Sequence, residues 1–417
     1  MSASPDAAAA RRVPAVSGSP AGAERIGAVL APVIPQVGAL IARHPGTLSL
    51  AQGMVNWGPP PAVLEAIAAV LALAAADPAA MVDLDRYGPL QGDPELLAAL
   101  SARLVRQQRF DPSISALLVT AGSNMAFQVL IQVLCDPGDA VLLPVPWYFN
   151  HAMAVQLAGA TPLPVQAGLI LDPERLEAAI TPRCRAIVTV SPGNPSGVVQ
   201  PPAVLEQINR ICERHGLLHI SDEAYGDFVF GSVPHRSPAA RPGAGEHTVT
   251  LHSFSKAYGM AGWRLGYATV PKRLLPALEK GLDTTLICAP RISQRAGVAA
   301  LAAGEAWLQP HLRDLAQRRR QLLASLATGG DRLNLLVEPD GAFYALVAIP
   351  TPRRAMEVVQ ILIERHGVAA LPGDSFAVPA PAGQAVLRLS YGMLDSETLA
   401  EALERLQRGV AELATPA

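Results

Sequence analysis

The chain has 417 residues, of which 50% are hydrophobic and 16% are charged, and its formal net charge is −2 at pH 7. This length exceeds one ordinary hydrophobic core and predicts two packed domains, while the composition argues against intrinsic disorder. Because the charge is near zero and no basic block occurs, we expect no nucleic-acid partner.

The sequence predicts neither a signal peptide nor a membrane-spanning segment. Residues 1–24 are rich in Ala, Pro, Ser and Gly and lack the apolar core of a signal peptide, which predicts a flexible N-terminal tail. The most apolar run, Ala62 to Ala76, is too short to span a bilayer and predicts a core helix.

Short apolar runs alternate with helix-like segments between about residues 95 and 285. The predicted strands are Leu117–Thr120, Ala140–Leu143, Ala186–Val190, Leu217–Ile220, Thr248–Leu251 and Leu265–Val270. The predicted helices include Ala126–Leu134, Pro202–His215 and Pro271–Gly281. Alternation of helices with fully apolar strands predicts an α/β domain around a mostly parallel sheet.

The last third of the chain predicts a smaller α+β domain. A long helical stretch covers about residues 293–327, with Arg318, Arg319 and Arg320 on a face that we expect to be solvated. The elements after it are predicted at Phe343–Ile349, 354–366, Val386–Ser390 and 396–413. We expect residues 25–54 to join 293–417 in this small domain, and residues 55–292 to form the large domain.

The four cysteines, Cys135, Cys184, Cys212 and Cys288, form no CxxC pair and no Cys/His cluster. Isolated thiols in apolar surroundings predict a reducing, cytoplasmic location, with neither a disulfide framework nor a metal site.

Ligands of such a sheet bind beyond the carboxyl ends of its strands, so the residues that follow each predicted strand are the candidate site. Gly122, Ser123 and Asn124 follow the first strand and begin a helix, where free N–H groups predict an anion site. Trp147 and Tyr148 follow the second, and in a chain with 5% aromatic residues they could stack on a flat ring or simply pack in the core.

The next two strands end in polar residues. Asn194 is held in a rigid turn, Ser191-Pro192-Gly193-Asn194-Pro195-Ser196-Gly197, and its amide could bond a ring oxygen or serve only the turn. Asp222 ends an apolar strand, where a desolvated carboxylate needs a cationic partner unless it caps a helix.

Lys256 is one of only three lysines in the chain, among 33 lysines and arginines. Unlike a guanidinium, a primary amine can condense with an aldehyde, so Lys256 is a candidate for covalent chemistry. Ser253, Ser255 and Arg264 lie close to it in the sequence and are good phosphate ligands. Together these strand ends fit pyridoxal phosphate, with Lys256 as its Schiff base and Asp222 pairing the pyridinium nitrogen.

Over roughly residues 30 to 412 the sequence resembles the class I aminotransferases, the aspartate-aminotransferase-like branch of fold-type I pyridoxal-phosphate enzymes. The resemblance rests on the turn around Asn194, on Ser221-Asp222-Glu223-Ala224-Tyr225, on Ser253-Phe254-Ser255-Lys256 with Arg264, and on Leu387-Arg388-Leu389-Ser390. It implies a seven-stranded, mostly parallel sheet flanked by helices, a smaller domain and an active homodimer.

The resemblance also implies roles for individual residues. Lys256, Asp222 and Tyr225 would be catalytic, Arg388 would bind the substrate α-carboxylate, and His151 would support Asp222. The cofactor would be bound by Gly122, Ser123, Asn124, Tyr148, Asn194, Asp222, Tyr225, Ser253, Ser255, Lys256 and Arg264, and by Tyr87 of the other subunit. The substrate would contact Arg388, Gly53, Asn194 and Trp57.

The implied reaction moves an amino group between an L-amino acid and a 2-oxo acid by a ping-pong Schiff-base mechanism. The choice of substrate stays open, since Arg291 could serve a dicarboxylate, whereas Trp57 could line a pocket for an aromatic or aliphatic side chain. Alternatives on the same fold are a C–S β-lyase, a cyclopropane-carboxylate-synthase-like enzyme and an amino-acid oxidase. A regulator of this fold would need a longer, more basic N-terminus, and a nucleotide-binding module would leave Lys256, Asp222 and Arg388 unexplained.

Overall fold

A computed structural model describes residues 22–77, 82–107 and 109–413. The flexible tail predicted for residues 1–24 therefore lies outside the described residues, except for its last three positions. The helices are α1 (Glu24–Ala28), α2 (Val33–Arg43), α3 (Pro61–Ala76), α4 (Val82–Asp85), α5 (Pro94–Arg106), α6 (Ser123–Leu134), α7 (Phe149–Leu157), α8 (Pro173–Ala178), α9 (Pro202–His215), α10 (Phe254–Ala257), α11 (Leu275–Thr285), α12 (Arg291–Ala302), α13 (Gly304–Thr328), α14 (Ala355–His366) and α15 (Ser396–Leu413).

The strands form one large sheet and two small ones. They are β1 (Leu48–Ser49), β2 (Ser115–Thr120), β3 (Ala140–Pro144), β4 (Thr161–Val165), β5 (Cys184–Val190), β6 (Leu218–Asp222), β7 (Thr248–Ser253), β8 (Gly266–Pro271), β9 (Asn334–Leu335), β10 (Tyr344–Pro350), β11 (Val368–Ala369), β12 (Leu371–Pro372) and β13 (Gln384–Ser390).

The large sheet has seven strands in the order β2-β8-β7-β6-β5-β3-β4. Strands β3 to β7 run parallel to their neighbours among themselves, and β8 is antiparallel to both β2 and β7. The predicted seven-stranded, mostly parallel sheet is confirmed. Because β3, β5, β6 and β7 are parallel, their carboxyl ends lie along one edge, where the predicted polar residues follow them.

Helices cover both faces of this sheet because side chains along each strand alternate between the faces. In β3, Val141 and Leu143 join a cluster with Phe127 of α6, whereas Leu142 joins a separate cluster with Ile208 of α9. The strands are thus buried on both sides, which explains their nearly continuous apolar sequence.

A four-stranded antiparallel sheet, in the order β12-β13-β10-β9, forms in the C-terminal part of the chain. Strand β1 pairs in parallel with β11, which joins Leu48 and Ser49 to Val368 and Ala369. This pairing agrees with the expectation that residues 25–54 pack with 293–417, although the domain boundaries stay a prediction.

Two expectations about burial are wrong. Arg318, expected on a solvated face of α13, is fully buried, because backbone carbonyls surround its guanidinium. Helix α3, expected in the core, exposes Leu64, Leu71 and Leu73 at 57%, 49% and 60%. None of the helices in the described parts of the chain is long and apolar enough to cross a membrane.

Candidate functional site

A cavity of about 550 Å³ opens at the carboxyl ends of the parallel strands. It is lined by Ser123, Asn124, Tyr148, Val190, Asn194, Asp222, Ala224, Tyr225, Ser253, Ser255, Lys256 and Arg264. All of these except Val190 and Ala224 are residues that the sequence places in the site, and they come from five different strand ends.

Lys256 lies on the short helix α10, directly after β7. Its Nζ donates a hydrogen bond to the carbonyl oxygen of Gly53 at 2.6 Å. The side chain is only partly buried because it lines the cavity, yet desolvation, together with the charges of Arg388 and Arg264, lowers the pKa of Lys256 to about 8. A lysine with this pKa carries a usable fraction of neutral amine near pH 7.

Asp222 is the last residue of β6 and is 6% exposed. Its Oδ2 lies 3.2 Å from Nε2 of His151, and its Oδ1 accepts a hydrogen bond from the backbone N–H of Ala224. The expected contact between His151 and Asp222 is therefore present. A buried carboxylate at the wall of a cavity is suited to pair with a protonated ring nitrogen.

Groups that can bind an anion meet at the N-terminus of α6, where the guanidinium of Arg264 lies beside Gly122. Gly122, with φ of 89°, precedes α6, so the free N–H groups of Ser123 and Asn124 begin this 12-residue helix. Arg264 has φ of 51°, a left-handed conformation that is rare outside glycine, and its guanidinium bonds the carbonyl of Ala261. Within the described residues Arg264 has no acidic partner, which leaves its charge available to a phosphate.

Asn194 joins the turn after β5 to Arg388 of β13. Its Oδ1 accepts a hydrogen bond from Nη1 of Arg388 at 3.2 Å, which leaves the amide NH₂ as the donor that can serve the cavity. Tyr225 contacts the hydroxyl of Tyr344 at 2.7 Å, and Tyr148 accepts a hydrogen bond from Asn150.

Arg388 is 2% exposed and lies between polar and aromatic groups. It donates hydrogen bonds to Asn194 and to the carbonyl of Ala51, and its Cζ lies 4.5 Å from the centre of the Tyr344 ring. Among the described residues no acidic side chain pairs with it, and its Nε has no hydrogen-bond partner. A buried cation left unpaired is costly, so this position predicts an anionic ligand.

Gly122, His151 and Arg388 contact or adjoin residues of the cavity lining without belonging to it, and four further residues singled out from the sequence are also absent from the lining. Tyr87 is 79% exposed. Gly53 contacts the site only through its carbonyl oxygen, which accepts the hydrogen bond of Lys256. Trp57 donates from Nε1 to the carbonyl of Ala257 and stacks on His311. Arg291 is ion-paired with Asp93 at 3.1 Å. The substrate roles of Gly53 and Trp57 therefore stay predictions.

Tyr344 is a residue near the site that the sequence reasoning missed. It is 1% exposed and touches Tyr225 and Arg388. The adjacent aromatic pair Phe343-Tyr344, at the start of a predicted strand in an aromatic-poor chain, was the signal that could have identified it.

Comparison with known proteins gives consistent results. A family model described as aminotransferase class I and II matches residues 46–406. The aromatic aminotransferase ISS1 of Arabidopsis thaliana is 36% identical over 393 residues, which cover 92% of this chain and 94% of the relative. A bifunctional aspartate aminotransferase and glutamate/aspartate-prephenate aminotransferase of Petunia hybrida is 33% identical over 79% of this chain and 71% of its own.

Solved structures are similar over nearly the whole chain. The aspartate aminotransferase from Thermus thermophilus with maleate has a TM-score of 0.82 and 31% identity, covering 94% of this chain and 100% of its own. The aromatic aminotransferase from Pyrococcus horikoshii OT3 has a TM-score of 0.79 and 29% identity, covering 90% of this chain and 99% of its own.

Proposed function

This chain belongs to the class I and II aminotransferases and is an enzyme that transfers amino groups, and we propose that it does so in the cavity around Lys256. The family uses pyridoxal phosphate. The proposed reaction moves the amino group of an L-amino acid to a 2-oxo acid in two half-reactions.

The residues of the cavity fit this cofactor. Asp222 provides a buried carboxylate for a ring nitrogen, and the amide of Asn194 and the hydroxyl of Tyr225 face the same space. Arg264, which has no acidic partner among the described residues, lies with the N-terminus of α6 at the end suited to a phosphate. Lys256 provides the amine.

When bound, pyridoxal phosphate condenses with primary amines and withdraws electrons from the carbon next to their nitrogen. Lys256, with its pKa of about 8, can attack an aldehyde as a neutral amine and then accept or deliver a proton at the substrate Cα. Arg388 would hold the substrate α-carboxylate through paired N–H···O bonds and so fix the orientation of the Cα–H bond.

The observation that carries this proposal is the nearness of two basic groups, Lys256 in the lining of the cavity and the buried Arg388, whose charge acts on Lys256. Lys256 is available for condensation, while Arg388 has no acidic partner among the described residues and so fits an added carboxylate. The site thus offers an amine to the aldehyde of the cofactor and a guanidinium to the carboxylate of the substrate.

The test is a visible absorption spectrum of the protein after reconstitution with pyridoxal phosphate. We expect a yellow protein that bleaches with an amino acid and regains its colour with a 2-oxo acid. Lys256→Arg keeps the positive charge but should show neither change. Release of ammonia or a thiol while the yellow colour persists would instead indicate a lyase or an oxidase.

For the substrate side chain we propose an aromatic or other large apolar group. The relative named an aromatic aminotransferase covers more of this chain than the named aspartate and prephenate enzymes do, at 92% against 79% and 78%. Arg291, the candidate cation for a second carboxylate, is already paired with Asp93. L-Phenylalanine and L-tyrosine should therefore bleach the enzyme faster than L-aspartate, and the reverse order would contradict this assignment.

We also propose that the active enzyme is a homodimer in the cytoplasm. The exposed apolar side of α3 supports this proposal, because a second subunit could cover it. Tyr87 is 79% exposed in one chain, so its side chain can reach a second subunit, as the resemblance implies. All four cysteines are free, which is consistent with a reducing compartment.

A further inference from the structure

Tyr344 lies on the same face of the C-terminal sheet as Arg388. In the antiparallel pair of β10 with β13, Leu346 is directly opposite Arg388, and Tyr344 is two residues before Leu346. Residues two apart on a strand point to the same face, so Tyr344 is a diagonal neighbour of Arg388. This register places an aromatic ring beside the guanidinium.

The ring of Tyr344 packs under the Arg388 guanidinium, with 4.5 Å between Cζ and the ring centre. Phe376 gives a second ring at 5.2 Å. Aromatic faces attract cations, and the attraction is stronger where water is excluded. Tyr344 thus helps to hold Arg388 in place without neutralising its charge, which leaves the charge available to a substrate carboxylate.

The hydroxyl of Tyr344 lies 2.7 Å from that of Tyr225. A hydroxyl has one proton to donate and two lone pairs to accept with. If Tyr344 donates to Tyr225, the proton of Tyr225 is left to point into the cavity that Tyr225 lines. Accepting this bond also makes Tyr225 a stronger donor.

Tyr344 also restricts the loop that contacts Lys256. A Cβ atom at Gly53 would overlap the Tyr344 hydroxyl, so a larger residue there would have to displace Tyr344, and the Gly53 carbonyl accepts the hydrogen bond of Lys256. One buried tyrosine therefore contacts Tyr225, Arg388 and Gly53.

We propose that Tyr344 is a positioning residue of the reaction, which directs the Tyr225 hydroxyl proton into the cavity and supports the Arg388 guanidinium through its ring. This inference rests on the proposed function, because Tyr344 itself contacts neither substrate nor cofactor. It acts through Tyr225 and Arg388, which are proposed to bind the cofactor and the substrate.

Two substitutions separate the two parts of this role. Tyr344→Phe keeps the ring and removes only the hydroxyl, whereas Tyr344→Leu removes both. The matched control is Tyr391→Phe, because Tyr391 is equally buried and its hydroxyl bonds nothing within the described part of the chain. Each variant is measured for its affinity for pyridoxal phosphate, for the pH midpoint of the visible absorption of the bound cofactor, and for KM and kcat.

For Tyr344→Phe we expect the affinity for pyridoxal phosphate to fall roughly 2- to 10-fold, as for loss of one neutral hydrogen bond. The absorption midpoint should move to higher pH by about 0.3 to 1 pH unit, because a weaker hydrogen bond from Tyr225 stabilises the deprotonated form of the bound cofactor less. KM should stay near the wild-type value. Tyr344→Leu should in addition raise KM by roughly 3- to 10-fold, because Arg388 loses its supporting ring.

A double-mutant cycle with Tyr225→Phe gives the decisive result. Once the Tyr225 hydroxyl is absent, Tyr344→Phe should have little further effect on cofactor affinity. Additive effects, or a Tyr344→Phe variant identical to Tyr391→Phe, would overturn the proposal. A wild-type protein that binds pyridoxal phosphate but never bleaches with amino acids would instead overturn the proposed function, while the cycle in cofactor affinity would still decide the role of Tyr344.

Discussion

Lys256, which is partly buried, and Arg388, which is fully buried, are neighbouring basic residues, but their chemistry differs. Arg388 keeps its charge at every accessible pH, so it can serve as a fixed anchor for a carboxylate. Lys256 can lose its proton, and desolvation with the nearby charges of Arg388 and Arg264 lowers its pKa to about 8. The arginine therefore helps to activate the lysine across the cavity, and an anionic ligand bound to Arg388 would weaken that effect.

The lowered pKa of Lys256 predicts how cofactor uptake depends on pH. With a pKa of about 8, roughly one tenth of the amine is neutral at pH 7 and about one half at pH 8, and at lower pH the fraction changes about tenfold per pH unit. The rate at which the apo protein takes up pyridoxal phosphate should rise in the same way and level off above about pH 9. Stopped-flow absorbance measures it, and a rate still rising steeply at about pH 10 would mean that the pKa is not lowered.

Asp222 gives a second prediction at the residue scale. Asp222→Asn keeps the shape but removes the charge that would pair with the cofactor nitrogen, and losing one partner of a buried pair costs about 3 kcal/mol or more. Turnover should then fall about 10²-fold or more. The matched control is Asp139→Asn, since Asp139 is also buried and ion-paired but lies before β3, at the amino end of that strand.

The two aspartates should respond differently in parallel assays. We expect Asp139→Asn to lower stability towards denaturant while the folded enzyme keeps its turnover. Asp222→Asn should lower turnover at near-normal stability of the cofactor-free protein. If Asp222→Asn turned over at a near-wild-type rate, another acid would have to hold the ring nitrogen.

At the scale of elements, Arg318 of α13 connects the segments that carry the substrate groups. Its guanidinium donates to the carbonyls of Tyr391 and Gly392, which follow β13 and its Arg388, and to Oδ1 of Asn56, near Gly53. The buried charge is neutralised by Asp314 one turn earlier, at 2.8 Å. The helix thus fixes two loops that meet at the proposed carboxylate site.

Removing this connection should cost both stability and substrate binding. Arg318→Met leaves several carbonyls without donors, and we expect the free energy of unfolding to fall by about 3 kcal/mol, with a raised KM. Arg320→Met is the control, because Arg320 is exposed on the same helix and should change stability by no more than about 0.5 kcal/mol. Urea unfolding curves that coincide for the two variants would contradict this role.

The sequence predicted most elements because strand hydrophobicity and helix caps are local signals. Asp172 caps α8 as its Asp-Pro-Glu sequence indicates, and the predicted bounds of α9 and α15 agree with the structure. Strand β4 is not predicted by the sequence pattern, because Pro162 and Pro164 argue against a strand. The two prolines are tolerated because β4 lies at the edge of the sheet.

The site residues at strand ends could be predicted because a parallel sheet brings those ends together. The contacts of Tyr344 and the burial of Arg318 could not be predicted, since they depend on which carbonyl or side chain another segment presents, although the Phe343-Tyr344 pair marks the position of Tyr344. Arg318 in particular follows the sequence pattern of a surface arginine, and only the loop at Tyr391 and Gly392 makes its position buried.

At the scale of the whole molecule, α3 has more apolar surface than one chain can bury. Val63 packs inward, while Leu64 and Leu71 are 57% and 49% exposed. These two leucines are seven residues apart, so they lie on the same side of the helix. A surface of this kind marks an interaction site, and the proposed homodimer would cover it.

The final prediction is that Leu64→Glu with Leu71→Glu weakens the dimer. Buried carboxylates without partners are costly, so the double variant should dissociate at protein concentrations where the wild type sediments as a dimer. Its turnover should fall on dilution as well, because Tyr87 of one subunit is proposed to serve the other. Ile170→Glu, at a residue that is also 49% exposed but lies in a loop before α8, should leave both properties unchanged. Sedimentation velocity decides the matter, since a monomeric wild type, or a double variant that stays dimeric and active on dilution, would show that this side of α3 is not the subunit interface.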